Sequence, residues 1–450
     1  MNYLLSRYGM ACTTPSPVNR MMSAFSTDFR DGIDINIGVG YVNEKTIPDQ
    51  WFLEAMNEVV NHPEIYRQAF NYGGSQGSPN LIRALRSFYV KHKIGGFEQV
   101  SMDKQKIVIG ANGATSILDA LADLFSPGIV ITADPMYYIY CNYLERKGFR
   151  VITVPEERDG VSAAKLELQL AALGEDVRKL SFFYFVSVNN PSGVIMSNTC
   201  KSELVSIAEC WSERLERPLP IFFDQAYEWL IHDPQVERPE SVLKNNTQGL
   251  AYEIGTLSKV LAPALRIGFI MGAEGALLDA IIQKTNDVGF SAPLINQEIA
   301  AYVLEHHISE QLQRVNEGYR SKAQVIGAAI DELLGPWLED RRGGQGGFYY
   351  YLSFRNVYTD TNSDFFKFLS RNTGNPEIDG SAEHLLPRVI YLPGEFCVHP
   401  SGKSAAAGKR QLRLSYGFED TESIIQALKY TREAILYSKR TMSASVQIQH

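Results

Sequence analysis

Apolar residues in this chain cluster in short unbroken runs, spaced by longer stretches in which they recur at helical intervals. Strand-length runs lie near residues 106, 129, 181, 220, 251 and 267, among them Lys106 to Ile109, Ile129 to Ala133 and Pro218-Leu-Pro-Ile-Phe-Phe-Asp224. Between them run amphipathic segments, such as the one that opens after Gly110 and continues to about Phe125. Alternation of strand and helix from about residue 46 to 320 predicts an α/β fold: a mainly parallel sheet with helices on both faces. The 450 residues suit two domains. We expect a large domain at 46–320, with 1–45 and 321–450 forming a smaller one and Thr441 to His450 as a loose tail. Internal repeats and long low-complexity segments are absent from the sequence.

Composition narrows the function classes. A formal net charge of -8 argues against a nucleic-acid partner, and the short basic clusters Lys91-His-Lys93, Arg341-Arg342, Lys409-Arg410 and Lys439-Arg440 read as solvated surface. The five cysteines, Cys12, Cys141, Cys200, Cys210 and Cys397, include no C-x-x-C pair, which disfavours zinc or a disulfide framework and fits a reducing compartment. No stretch approaches a membrane-spanning length, and Met1-Asn-Tyr-Leu-Leu-Ser-Arg-Tyr lacks the apolar core of a secretion signal, so a soluble cytoplasmic protein is expected. Adjacent His306 and His307 would point to different faces of a helix, and no metal site is expected.

Candidate chemistry starts at Lys259. Pro263 and Arg266 follow it, and the intervening Val260, Leu261 and Ala262 are apolar. A lysine that traps a carbonyl must first lose its proton, which desolvation and a nearby cation both promote. Arg266 is a permanent cation of that kind, and the pair suits a phosphate-bearing aldehyde. Asp224 ends an apolar strand, at the edge where open α/β sheets place ligands. The turn Gly110-Ala-Asn-Gly-Ala-Thr115 joins a strand to a helix, as a phosphate site requires, though without the dinucleotide spacing. Asn190 precedes Pro191 and is held extended, with its amide free for a ligand oxygen, and Tyr137 follows a strand and suits stacking on a ring. Taken singly, each segment has a plainer reading: a surface lysine, a helix-capping aspartate, an Asx turn, a core tyrosine.

Their order along the chain changes that balance. Gly110-Ala-Asn-Gly-Ala-Thr115, Pro135-x-Tyr137-x-x-Tyr140, Asn190-Pro-Ser-Gly193, Asp224-x-Ala-Tyr227 and Ser258-Lys-x-x-x-Pro-x-x-Arg-x-Gly268 together resemble class I/II aminotransferases of pyridoxal-phosphate fold type I, in that family's own order. Ile35-Asn-Ile-Gly-Val-Gly-Tyr41 is similar to the family's N-terminal substrate loop, and Tyr72-Gly-Gly-Ser-Gln-Gly-Ser-Pro-Asn-Leu81 to its Y-x-x-x-x-G-x-x-x-L segment. Gln345-Gly-Gly-Phe-Tyr-Tyr-Tyr-Leu352, Pro393-Gly-Glu-Phe396 and Gln411-Leu-Arg-Leu-Ser-Tyr416 match its C-terminal part. Serine at the third position of the Asn190 turn departs from the usual threonine.

The resemblance implies a fold type I transferase, its large domain built on a mainly parallel sheet and its smaller domain α+β. It implies pyridoxal 5'-phosphate as cofactor, held by Lys259 as an internal aldimine, with the same lysine then moving the α-proton on the way to pyridoxamine phosphate. By the same resemblance Asp224 pairs with the ring nitrogen, Tyr227 and Asn190 bond the ring oxygen, and Tyr137 stacks on the ring. The phosphate is expected on the amides of Gly110, Ala111 and Asn112, closed by Thr256, Ser258 and Arg266. Arg413 is expected to take the substrate carboxylate, with Gly40 and Asn190 beside it. A homodimer with shared active sites is implied, Tyr72 reaching the neighbour's phosphate, and the substrates implied are an amino acid and a 2-oxo acid.

Specificity is less legible. No arginine lies between Lys284 and Ser291, and Asp287 there would repel a second carboxylate, which disfavours aspartate. The C-terminal motifs are faintly similar to valine-pyruvate aminotransferases. Carbon-sulfur β-lyases and other Cα-carbanion enzymes share these cofactor residues and stand as the alternative. The aminotransferase-like regulators that carry an N-terminal winged helix fit poorly, because only about thirty-five residues precede the Ile37-Gly-Val-Gly40 loop.

Overall fold

Eight strands build the central sheet of the computed structural model, which describes residues 4–246, 248–381 and 386–448. From edge to edge they run Gln105–Ile109, Gly268–Ala273, Ala251–Thr256, Ile221–Asp224, Leu180–Val186, Ile129–Asp134, Arg150–Glu157 and Gly160–Val161. The middle of the sheet is parallel, whereas Gly268–Ala273 runs antiparallel to both neighbours. The apolar runs became central strands because both of their faces are covered. In Leu180–Val186, Phe183 and Phe185 pack into one core with Leu204 and Phe223, while Phe182 and Tyr184 enter another with Ile117, Leu121 and Leu278. Each phenylalanine so buried contributes about 1.5–3 kcal/mol.

Two strands of this sheet escaped the sequence reading, Arg150–Glu157 and the short Gly160–Val161 beside it. Arg150–Glu157 pairs in parallel with Ile129–Asp134, although Pro155 and its acidic end disguise it. Pro155 is tolerated because it stands opposite Asp134, at the last position of that ladder.

A second sheet of Leu338–Gly343, Tyr349–Phe354, Gln411–Ser415 and Leu392–Pro393, in that order, is antiparallel throughout. Near the start of the chain, Ile35–Asn36 pairs in parallel with Val389–Ile390. The boundary expected at 320 falls inside the continuous helix Ile308–Leu334, which connects the two parts. The segment 1–45 is also divided: Tyr8 packs edge-on against Tyr143 of the helix Tyr138–Lys147 at 5.9 Å, while Phe25 packs against Phe366 at 6.1 Å. The expected loose tail is corrected in part, since the helix Thr421–Ile448 runs on through Thr441 with no glycine or proline to stop it. Residues 449–450 lie outside the described residues.

Candidate active site

The carboxyl ends of the central strands meet the N-terminus of the helix Gly113–Leu124 at one cleft. Tyr137, Asn190, Asp224, Tyr227, Thr256, Ser258, Lys259 and Arg266 line it, so most of the residues singled out in the sequence come together. Ala114 and Thr115, from the first turn of that helix, line it as well.

Lys259 donates from Nζ to the carbonyl oxygen of Gly40 at 3.0 Å. Burial first, then the charges of Arg413 and Arg266, push its amine down to about 8, with Asp224 opposing. A neutral, nucleophilic amine is therefore accessible near physiological pH. Asp224 is fixed at the end of its strand: one carboxylate oxygen accepts from the Tyr184 hydroxyl at 2.7 Å and the other from the Ala226 amide at 2.9 Å. Burial raises this carboxyl, while the Tyr184 and Ala226 hydrogen bonds and the Lys259 charge draw it back. A cation placed beside it would hold it ionised.

The other end of the cleft suits a phosphate. Arg266 adopts a left-handed backbone, φ 55°, uncommon for a residue other than glycine. Its guanidinium donates to the Asn112 side-chain oxygen at 2.9 Å and to the Asn112 carbonyl at 3.1 Å. Gly113, at φ 69°, lets that guanidinium approach, since a Cβ there would lie 2.8 Å from an Arg266 nitrogen. Thr256 donates to the Ile267 carbonyl at 2.7 Å, with the Ser258 hydroxyl 3.0 Å away. The expected cup of Gly110, Ala111 and Asn112 amides needs correction. The Gly110 amide donates to the Gly268 carbonyl at 2.9 Å and the Asn112 amide to the Ser116 hydroxyl at 2.8 Å, so the chain itself occupies both. Ala111 and Asn112 line an adjoining cleft with Tyr140 and Val288. The amides of Ala114 and Thr115, in the first turn of the helix, have no intrahelical acceptor.

Arg413, 2% exposed, sits at the centre of the strand Gln411–Ser415. It donates to the Asn190 side-chain oxygen at 2.6 Å and to the Gly38 carbonyl at 2.5 Å, and its buried Nε has no acceptor among the described residues. Asn190 thus contacts the arginine, and the Tyr227 hydroxyl lies 2.8 Å from that of Tyr349. Tyr72 lies away from the cleft, 73% exposed, with its ring 5.1 Å from Phe290.

A phosphate-bearing pyridine aldehyde fits this donor set. The cleft offers a depressed amine for the aldehyde, a buried carboxylate for the ring nitrogen, and a helix N-terminus with an arginine for the phosphate. Ala114, Thr115, Tyr184, Gly38 and Tyr349 were missed in the sequence. Ala114 and Thr115 were findable, because Asn112 is an N-cap residue and the first amides of the helix behind it have no intrahelical acceptor.

A family model for aminotransferase class I and II matches residues 31–389. An uncharacterised aminotransferase of Saccharolobus solfataricus is 21% identical over 412 residues, covering 90% of this chain and 92% of its own. The 2-aminoadipate transaminase of Thermus thermophilus is 26% identical over 348 residues, covering 75% of this chain and 77% of its own. Among solved structures, the multiple substrate aminotransferase from Thermococcus profundus superposes with a TM-score of 0.81 at 21% identity, covering 97% of this chain and 98% of the other.

Proposed function

The chain belongs to the class I and II aminotransferases, and on that premise we propose that it moves an amino group between an α-amino acid and a 2-oxo acid at the cleft around Lys259. The family's cofactor, pyridoxal 5'-phosphate, supplies when bound an aldehyde and a ring that accepts electrons. The observation that carries the reading is the depressed amine of Lys259 in the same cleft as the buried carboxylate of Asp224.

In this reading Lys259 binds the aldehyde carbon and later carries a proton to and from the substrate α-carbon, a task for which an amine near pH 8 is well matched. Asp224 keeps the ring nitrogen protonated, steadied by Tyr184 and the Ala226 amide. Tyr137 covers the ring, and Tyr227 and Asn190 face its oxygen. Ala114, Thr115, Ser258, Thr256 and Arg266 hold the phosphate, the first two replacing the amides assigned from sequence. Arg413 takes the substrate carboxylate, its guanidinium already oriented by Asn190 and Gly38.

The large domain at 46–320 then carries the cofactor and the flanking segments 1–45 and 321–450 carry the carboxylate arginine and the Gly40 loop. A homodimer accounts for Tyr72, whose exposed ring beside Phe290 would reach the neighbouring subunit's phosphate. No described helix is long and apolar enough to cross a membrane, and we place the protein in the cytoplasm, the setting that its cysteine pattern suits. The test is to add single amino acids to the loaded protein without any 2-oxo acid. Conversion to the amine form of the cofactor supports transamination, whereas an unchanged spectrum with release of pyruvate or ammonia makes the protein a lyase.

A further inference from the structure

Tyr349 touches three of the working groups. It opens the strand Tyr349–Phe354, is 1% exposed, and its hydroxyl lies 2.8 Å from that of Tyr227. The Arg413 guanidinium lies 4.5 Å from the centre of its ring, within cation-π range. A Cβ built on Gly40 would stand 2.6 Å from its hydroxyl, so a side chain there would push the phenol away, and the Gly40 carbonyl is the acceptor for Lys259. The hydroxyl serves Tyr227, the ring serves Arg413, and the bulk of the side chain fixes the loop that meets Lys259. Phenylalanine would supply the second and much of the third but not the first.

We propose that Tyr349 is a positioning residue that aims the Tyr227 hydroxyl and seats the Arg413 guanidinium, coupling cofactor and carboxylate recognition through one side chain. The proposal rests on the aminotransferase reading of the cleft. Either hydroxyl of this pair can donate; in the proposal a ring oxygen that accepts the Tyr227 proton makes Tyr349 the donor to Tyr227, and Tyr227 is then the stronger donor to that anionic oxygen, because hydrogen bonds in a chain reinforce one another. Without that donation the anion is less stabilised, and a proton shared with it is retained to higher pH. The titratable groups facing the two phenols are Lys259, Arg413, Tyr137, Tyr138 and Cys397, and both variants below leave all of them in place.

The experiment compares wild type, Tyr349→Phe and Tyr349→Leu as full-length loaded proteins. It uses a pH titration of the visible cofactor band without substrate, and KM and kcat for one amino acid that the wild type turns over. Tyr349→Phe should move the pH midpoint of the band up by about half a unit or more, with KM changed by less than about twofold. Tyr349→Leu should show the same midpoint shift and in addition raise KM by about 3- to 30-fold, the worth of a buried cation-π contact. An unmoved midpoint in Tyr349→Phe overturns the proposal even if the leucine variant fails to fold, and so does an unchanged KM in a folded Tyr349→Leu. A wild type that forms no visible band with pyridoxal phosphate, or transfers no amine, sinks the reading of the cleft and this proposal with it; normal wild-type behaviour with unaltered variants sinks this proposal alone.

Discussion

Lys201 and Lys259 are both lysines set into the interior, and they keep opposite company. Lys201, 2% exposed, meets the Glu228 carboxylate at 2.9 Å, with Glu253 close behind and bonded to the Ser241 hydroxyl at 2.9 Å. Among the described residues Lys259 has no carboxylate at hydrogen-bond distance: its amine meets only the Gly40 carbonyl, and two guanidiniums act on it from nearby. Burial is common to both, so burial alone does not make an amine reactive. A matched counter-charge gives a structural lysine, and like charges around a carbonyl give one ready to lose its proton.

The contrast is broken most sharply at Lys259. Lys259→Ala should lower turnover by at least about a thousandfold and abolish the visible cofactor band, while thermal unfolding shows a folded protein. Retained turnover would remove Lys259 from its role. Lys201→Met should act the other way round. It strands Glu228 beside Glu253 and should cost about 3–5 kcal/mol in denaturant unfolding, with kcat of the folded fraction unchanged. A loss of kcat at full stability would erase the distinction between the two lysines.

The smallest effect sharpens the structural side. Burial first, and then the Glu228 charge, pushes Glu253 up to about 7. A carboxyl raised above its ordinary value contributes stability that is full below that ordinary value and is lost as pH climbs through about 7. Glu253→Gln keeps an acceptor for the Val242 amide, turns the contact with the Ser241 hydroxyl from accepting to donating, and removes the titration. Its stability relative to wild type should rise by about 1–3 kcal/mol between pH 5 and pH 8, measured by urea unfolding at both. A pH-independent difference would show that Glu253 is ionised throughout.

Much of this was legible in the sequence where one residue type carries one meaning. Strands such as Leu180–Val186 are apolar on both faces, and the spacing from Ser258 to Gly268 brings Lys259 and Arg266 to one cleft. What stayed hidden depends on partners far along the chain. Nothing near Gly110 announces that its amide is bonded to Gly268, and for that reason the proposed phosphate site falls on the first turn of the helix instead. The run Phe348-Tyr-Tyr-Tyr351 offers three phenols, and the register sets Tyr351 directly opposite Arg413, yet it is Tyr349, opposite Ser415, whose ring the guanidinium covers and whose hydroxyl meets Tyr227. Arg150–Glu157 was masked by its proline, whose cost depends on its place in the ladder rather than on its identity.

The carbonyls of Gly38 and Gly40, on the segment tied by Ile35–Asn36 to Val389–Ile390, hold Arg413 and Lys259. Synthesis runs from the N-terminus, so the ribosome releases the strands of the central sheet, and Lys259 in the connection between two of them, before it makes the strand Gln411–Ser415. During that interval the growing chain has its amine but not the guanidinium of Arg413, one of the charges that depress it and the group that the proposed function gives to the substrate carboxylate. On the proposed function, translation itself withholds the chemistry from the half-made protein until its last elements arrive.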